Sequence, residues 1–256
     1  MRCTAWTLTA LLFAAAGASA SDDMTVVSKN THNGSPAGNS TTWMSSDHSR
    51  TQAAEGHDMI MDLKAGTITT IDHKKKTYYT ITKDDMKQMN AAMQERMNTP
   101  EGKKGMEMMQ KMTAGMADSY QVKKTGQTRK VGSYTCEEWT ITMGAMSTTK
   151  ECVTSEVKYP EHAYEAFKAF GESMRSSSPY AKIGEGMVDK MKAIKGFPVA
   201  TSVTTEVMGN KSTIESEVID ISHAAIPPST WEVPAGYTKI APPMMKAMAP
   251  HGRPHD

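Results

Sequence analysis

Leucine is almost missing from this 256-residue chain: of the four present, Leu8, Leu11 and Leu12 fall in the first 20 residues and Leu63 stands alone. Aromatic residues are scarce, at 6%, and cysteine occurs three times. No excess of one charge exists either, because 29 basic residues face 28 acidic ones. Nucleic-acid binders hold a polyanion with a basic excess or stripe, so no nucleic acid partner is expected. The one basic run, Lys74-Lys75-Lys76, lies between two strand-like runs and reads as a solvated turn. No run beyond residue 20 approaches the roughly 18 apolar residues of a membrane helix, so no integral membrane span is expected. Enzyme signatures are missing as well: there is no Gly-x-Ser-x-Gly elbow, no phosphate-cradling Gly-Lys-Ser/Thr loop, no His-Glu-x-x-His and no Cys/His zinc pattern. Gly184-Glu185-Gly186 alone is too little for a dinucleotide site. The expectation is a protein that is not an enzyme and has no cofactor.

Methionine fills the place of leucine. The chain has 23, of which only Met1 precedes residue 21. A thioether side chain is unbranched and polarizable, so it re-packs around different shapes where Leu or Ile would hold one geometry. The first 20 residues have a different character. Arg2 is followed by an apolar run from Ala10 to Ala16 and by Ala18-Ser19-Ala20, which reads as a secretory signal over 1-20 with a cut before Ser21. Ser21 is not the cysteine that a lipid-anchored bacterial export signal requires, so a soluble periplasmic or secreted product is expected. Without Arg2 the mature part carries 28 basic and 28 acidic residues. A single domain over 21-241 and a flexible Pro-rich tail over 242-256 complete the expected layout.

Cys136 and Cys152 survive that cut, and in an oxidising compartment two thiols usually make one disulfide. Strand-like stretches flank a Gly144-Ala145 turn, and reflection about Gly144 sets the two cysteines opposite one another. Opposed residues of an antiparallel pair lie roughly 4.5 to 5.5 Å apart at Cα, within the reach of a disulfide. A redox-active or metal-binding pair would call for a Cys-x-x-Cys spacing.

Short β-branched and aromatic runs mark strands over Met24 to Lys29, Thr41 to Ser46, His57 to Leu63, Gly66 to Asp72 and Thr77 to Thr82, with Asn30 to Asn39 read as a loop. A second series covers Gln121 to Lys124, Gln127 to Val131, the cysteine hairpin, Pro198 to Met208 and Ser212 to Ile221 around Gly209-Asn210. Between the series the period changes from two to nearly four. Met86, Met89, Met93 and Met97 form one helical stripe after the capping sequence Thr82-Lys83-Asp84-Asp85, and Met106, Met109, Met112 and Met116 form another beyond Pro100. Phe167, Phe170 and Met174 mark a third helix opened by Pro160, and Ile183, Met187, Met191 and Ile194 a fourth. Strands, a helix pair, strands, a helix pair and strands predict an α+β fold, with helices packed on one face of an antiparallel sheet.

The phrases Asp62-Leu63 to Ile71-Asp72, Lys76-Thr77-Tyr78-Tyr79, Val131-Gly132-Ser133-Tyr134-Thr135-Cys136-Glu137-Glu138-Trp139, Gly196-Phe197-Pro198-Val199 and Ile226-Pro227-Pro228-Ser229-Thr230-Trp231-Glu232-Val233-Pro234-Ala235-Gly236-Tyr237 follow one another through residues 40 to 240. In these the chain resembles an uncharacterised domain family of exported bacterial proteins, which is in turn similar to periplasmic lipoprotein carriers. The resemblance implies an antiparallel half-open β-barrel with helices packed on its concave face. Its implied cargo is a lipid, an acyl chain or an apolar protein segment.

Met86, Met89, Met93, Met97, Met109, Met112 and Met116 are accordingly the expected apolar lid, with packing in a core as their plainer use. Thioethers also bind Cu(I), and imidazole binds copper. That alternative draws on Met106, Met108, Met109 and Met112, on His57 with Met59, and on Met244, Met245, Met248, His251 and His255 of the tail. A structural envelope role without a ligand, or an oxidant sink of methionines, remains beside it. His48, His57 and His73 lie in one strand series, where folding can bring them together. Spacing does not decide the oligomeric state.

Overall fold

The computed structural model describes residues 23–54, 56–105, 107, 119–160, 168–169, 190–191, 193–207, 209–243 and 245. Strand β1 (Met24–His32) turns at Asn33-Gly34 into β2 (Ser35–Met44). Both turn residues have positive φ, 51° and 78°, as the tightest hairpin turns require. The meander continues through β3 (His48–Gln52), β4 (His57–Asp62), β5 (Thr67–Asp72) and β6 (Thr77–Ile81), followed by helix α1 (Lys83–Met97). A second meander runs β7 (Tyr120–Val131), β8 (Tyr134–Met143), β9 (Ser147–Thr154), β10 (Phe197–Val207) and β11 (Asn210–Ser222). A 3-10 turn at Pro228–Trp231 leads to the two-residue β12 (Thr238–Lys239).

Among the described residues all strands join one sheet of twelve, in the order β12-β6-β5-β4-β3-β2-β1-β11-β10-β9-β8-β7. The two meanders meet where β1 pairs antiparallel with β11, with a bulge after Val27. Every pairing is antiparallel except that of β12 with β6. The sheet is open, ending at β7 and β12.

Because opposed residues of neighbouring strands project to the same side, the register assigns each side chain to a face. On the first face one row reads Met24, Met44, Ser49, Met61, Ile68, Ile81 across six strands. The row beside it reads Val26, Thr42, Thr51, Met59, Thr70, Tyr79. On the second face the corresponding row is Thr25, Trp43, Arg50, Ile60, Thr69, Thr80. The core gathers around the junction of the meanders, where Met24, Val26, Met44, Cys136, Cys152, Phe197, Val199, Ala200 and Val218 are buried.

Several expectations need correction. Among the described residues the fold is mostly β, not α+β, and the expected half-open barrel with helices packed on a concave face gives way to one large open sheet beside which helix is minor. The physical reason lies in segments whose polar composition disguised strands: Asn30 to Asn39 belongs to β1 and β2, and His48–Gln52 is a full strand. Helix α1 does form where the methionine period places it, and Thr82 caps it in a reciprocal box with Asp85. None of its residues is buried, however. Helix resumes over residues 100–105. Met106, Met108, Met109, Met112, Met116 and most of the two later expected helices lie outside the described residues, as do the 1-20 signal and nearly all of the 242-256 tail.

The Cys136–Cys152 disulfide is present, with Cα atoms 5.2 Å apart. Its register differs from the expectation. Met143 opposes Ser147 and Cys152 opposes Glu138, so the hairpin is centred on Ala145 and the bridge joins diagonal neighbours on one face. At the entrance to β10, Gly196 has φ of 125° and its α-carbon abuts the Thr154 carbonyl, where any Cβ would collide. That explains the glycine of the Gly-Phe-Pro phrase.

Candidate functional site

At the junction of the meanders the first face holds a cavity of about 220 Å³. Its floor comes from β1, β2, β10 and β11, whose inward positions there are Val26, Met44, Val199 and Val218. Phe197 and Tyr159 close one end, their rings tilted at a centroid distance of 4.8 Å. Strand alternation also brings Ser28, Thr42, Thr201 and Ser216 to the lining. Thr42 shares a hydrogen bond of 3.3 Å with Thr51, whereas Ser28, Thr201 and Ser216 make no side-chain hydrogen bond among the described residues. Among the described residues, none of the lining is charged. Outside the lining, Glu151 on β9 is paired with Thr201 and half-buried, and burial pushes its pKa up. Glu151 in turn helps burial hold the Tyr120 hydroxyl above its ordinary pKa.

The expected lid is placed only in part. Met86, Met89, Met93 and Met97 share one side of α1 and are each half-buried, while Lys83, Asp84, Lys87 and Gln88 are exposed. Of the copper alternative, His57 and Met59 lie two apart on β4, exposed on the first face, and Met245 is half-buried. Met244, Met248, His251 and His255 lie outside the described residues. Among the described residues, no group of three or more His, Cys, Asp and Glu side chains is placed to hold a metal ion.

The second face is organised by charge. Asp58, wholly buried on β4, accepts from Nε of Arg50 at 2.9 Å and also from Nη2. Its other oxygen lies 3.0 Å from Nε2 of His73, without an aligned hydrogen bond. His73 Nδ1 meets the Tyr237 hydroxyl at 2.7 Å. An Nε2–H tautomer lets Tyr237 donate to Nδ1 while the ring N–H faces the carboxylate. Arg50 Nη1 donates to the Thr230 carbonyl at 2.7 Å, and its guanidinium lies 5.9 Å from the Trp43 ring centre. Trp231 stacks on His48, whose Nδ1 bonds Asp47 at 2.7 Å and holds that carboxyl below its ordinary pKa. The segment from Pro227 to Ile240 is thus a strap over β3 to β6, finished by backbone bonds from Thr238 to Lys76 and from Ile240 to Tyr78.

His48, His57 and His73 therefore do not converge. His48 joins Trp231, His73 joins Asp58, and His57 projects from the opposite face. Lys74 to Lys76 form the turn between β5 and β6, and Lys75 there pulls the Asp72 carboxyl down to about 2 by a 2.9 Å ion pair.

Residues 29–237 match the family model described as a domain of unknown function, DUF4412, and they contain the cavity lining except Val26 and Ser28 and the strap except its residues 238–240. The chain belongs to that family. The matched region ends on Tyr237, the residue that meets His73, so this domain includes nearly the whole strap. No curated protein matches the sequence. A solved structure of PNGF-II in a C2 space group is similar over 88% of this chain and 32% of its own, with 9% identity and a TM-score of 0.39. The chain spans about a third of that protein's length.

Sequence reading missed Arg50 and Asp58 as partners, since an ion pair between adjacent strands leaves no motif. The signal was a charge pair on alternating positions of two strand-length segments, eight residues apart. The cavity has no linear signal at all, being assembled from four strands and Tyr159.

Proposed function

We propose that this DUF4412 domain is an exported binding protein, periplasmic or secreted, for an apolar ligand: a lipid, an acyl chain or an apolar protein segment. The observation that supports it is the cavity at the meander junction, lined by the buried Val26, Met44, Phe197, Val199 and Val218 and, among the described residues, by no charged side chain. Burial of such surface by a ligand is favourable by about 25 cal/mol per Å². The half-buried methionines of α1 supply a second, adaptable apolar surface of the kind used to accommodate differing shapes. The export-like first 20 residues support the compartment. No helix among the described residues is long and apolar enough to cross a membrane, which leaves β-barrels aside.

Native mass spectrometry of the protein purified from its own host tests this reading. Co-purifying lipid of defined mass is the expected result, lost in a Val199→Trp variant that fills the cavity. A ligand-free protein that also fails to take up acyl chains in vitro overturns it. A second reading, soft-metal binding, is favoured by one observation: His57 and Met59 are exposed on the same face of β4. Stoichiometric Cu(I) in the same spectra, abolished by His57→Ala with Met59→Leu, would support that reading instead.

A further inference from the structure

We propose that the cavity at the meander junction takes a single alkyl chain whose polar end is uncharged and bears hydroxyl or ester oxygens, as in a monoacylglycerol. The inference rests on the apolar-ligand reading and adds the chemistry of the head. Three observations carry it. The volume, about 220 Å³, lies below the usual size of small-molecule pockets, which suits one chain and not a pair. Among the described residues the lining offers no cation to a carboxylate or phosphate and no anion to an ammonium. A charged head drawn to this opening would lose water without gaining a partner, which is strongly unfavourable.

What the lining does offer is hydroxyls. Ser28, Thr201 and Ser216 come from three different strands, all on the first face, and none spends its hydroxyl on a side-chain hydrogen bond among the described residues. Thr201 and Ser216 are directly opposed on β10 and β11. A hydroxyl both donates and accepts, so this set matches ester and alcohol oxygens and shows no preference for charge.

The test uses three probes of one chain length, 1-monododecanoylglycerol, dodecanoate and dodecyltrimethylammonium, each below its micelle concentration at pH 7. Calorimetry or displacement of a fluorescent probe from the purified protein reads their affinities. The glycerol ester is expected to bind at least tenfold more tightly than either charged probe. Thr201→Val with Ser216→Ala should weaken it about fivefold and leave the circular dichroism spectrum unchanged. Dodecanoate or the ammonium binding as tightly as the ester overturns the head-group inference while the apolar-ligand reading stands. Binding of none of the three overturns both.

Discussion

The two faces of the sheet are made by alternate residues of the same strands, yet they solve burial in opposite ways. On the first face, β1 to β6 present Met24, Met44, Met61, Ile68 and Ile81 in one row, and the junction with β11 leaves space lined by apolar and hydroxyl groups. On the second, Arg50, Asp58 and His73 are closed over by the strap, whose Thr230 carbonyl and Tyr237 hydroxyl finish the polar contacts. Apolar contacts tolerate a changing occupant because they have no direction. A buried ion cluster tolerates little, since each charge needs its partner at a set distance. The comparison assigns adaptability to one side and rigidity to the other.

The largest expected effect would break the rigid side. Arg50→Met leaves the buried Asp58 without its guanidinium, and chemical denaturation should show a loss of about 3–5 kcal/mol. Replacing both partners, Arg50→Met with Asp58→Leu, should recover most of that. If the double variant is as unstable as the single one, the strap depends on Arg50's bonds to Thr230 and Glu232 more than on charge balance.

Next is the disulfide, which belongs to the same rigid set. Cys136→Ser with Cys152→Ser opens a loop of 16 residues, and about 3 kcal/mol should be lost on the chain-entropy model. The wild-type protein under reductant should show the same fall in midpoint. A smaller effect concerns the helix, which belongs to neither row of the comparison. Thr82→Ala removes the cap of α1 and should cost about 1 kcal/mol, seen as helical signal lost before the sheet unfolds.

The smallest effect depends on pH. Burial raises the Glu151 pKa in the folded protein above its ordinary 4.5, so the unfolded chain ionises first. Stability on this account is intact below that ordinary value and falls as pH rises through the folded value. Glu151→Gln should therefore match wild type at pH 4 and exceed it modestly at pH 7. Asp72 runs the other way: lowered to about 2 by Lys75, it contributes above its ordinary 3.8 and loses that contribution as pH falls toward 2. Asp72→Asn should thus lower the denaturation midpoint at neutral pH and leave it unchanged at pH 2.

How much of this could be read in advance follows from which interactions are local. The strand-like run from Pro198 to Met208 marked β10, the Thr82 box marked α1, and the two cysteines marked a hairpin. Each signal lies within a few residues of its partner. His48–Gln52 failed because its polar residues meet partners far along the chain, Trp231 for His48 and Thr230 for Arg50. Asn30 to Asn39 failed because Asn33-Gly34 needs only two residues to turn, and the Gly, Ser and Pro around it lie in paired strands. The cysteine register slipped because the turn spans Gly144 to Met146, one residue longer than assumed. The lid expectation rested on helical period alone, which specifies a side of α1 and not the surface it meets.

Strand β1 lies in the middle of the finished sheet, flanked by a neighbour that follows at once and by another nearly 190 residues later. During synthesis its β11 edge stays unsatisfied until almost the whole chain exists, although the hairpin with β2 can close early. The consequence is a vulnerable interval in every molecule's life: an apolar-lined, half-zipped strand ladder open to pairing with a stranger. A cell that makes this protein must either shield that edge or keep newborn copies apart.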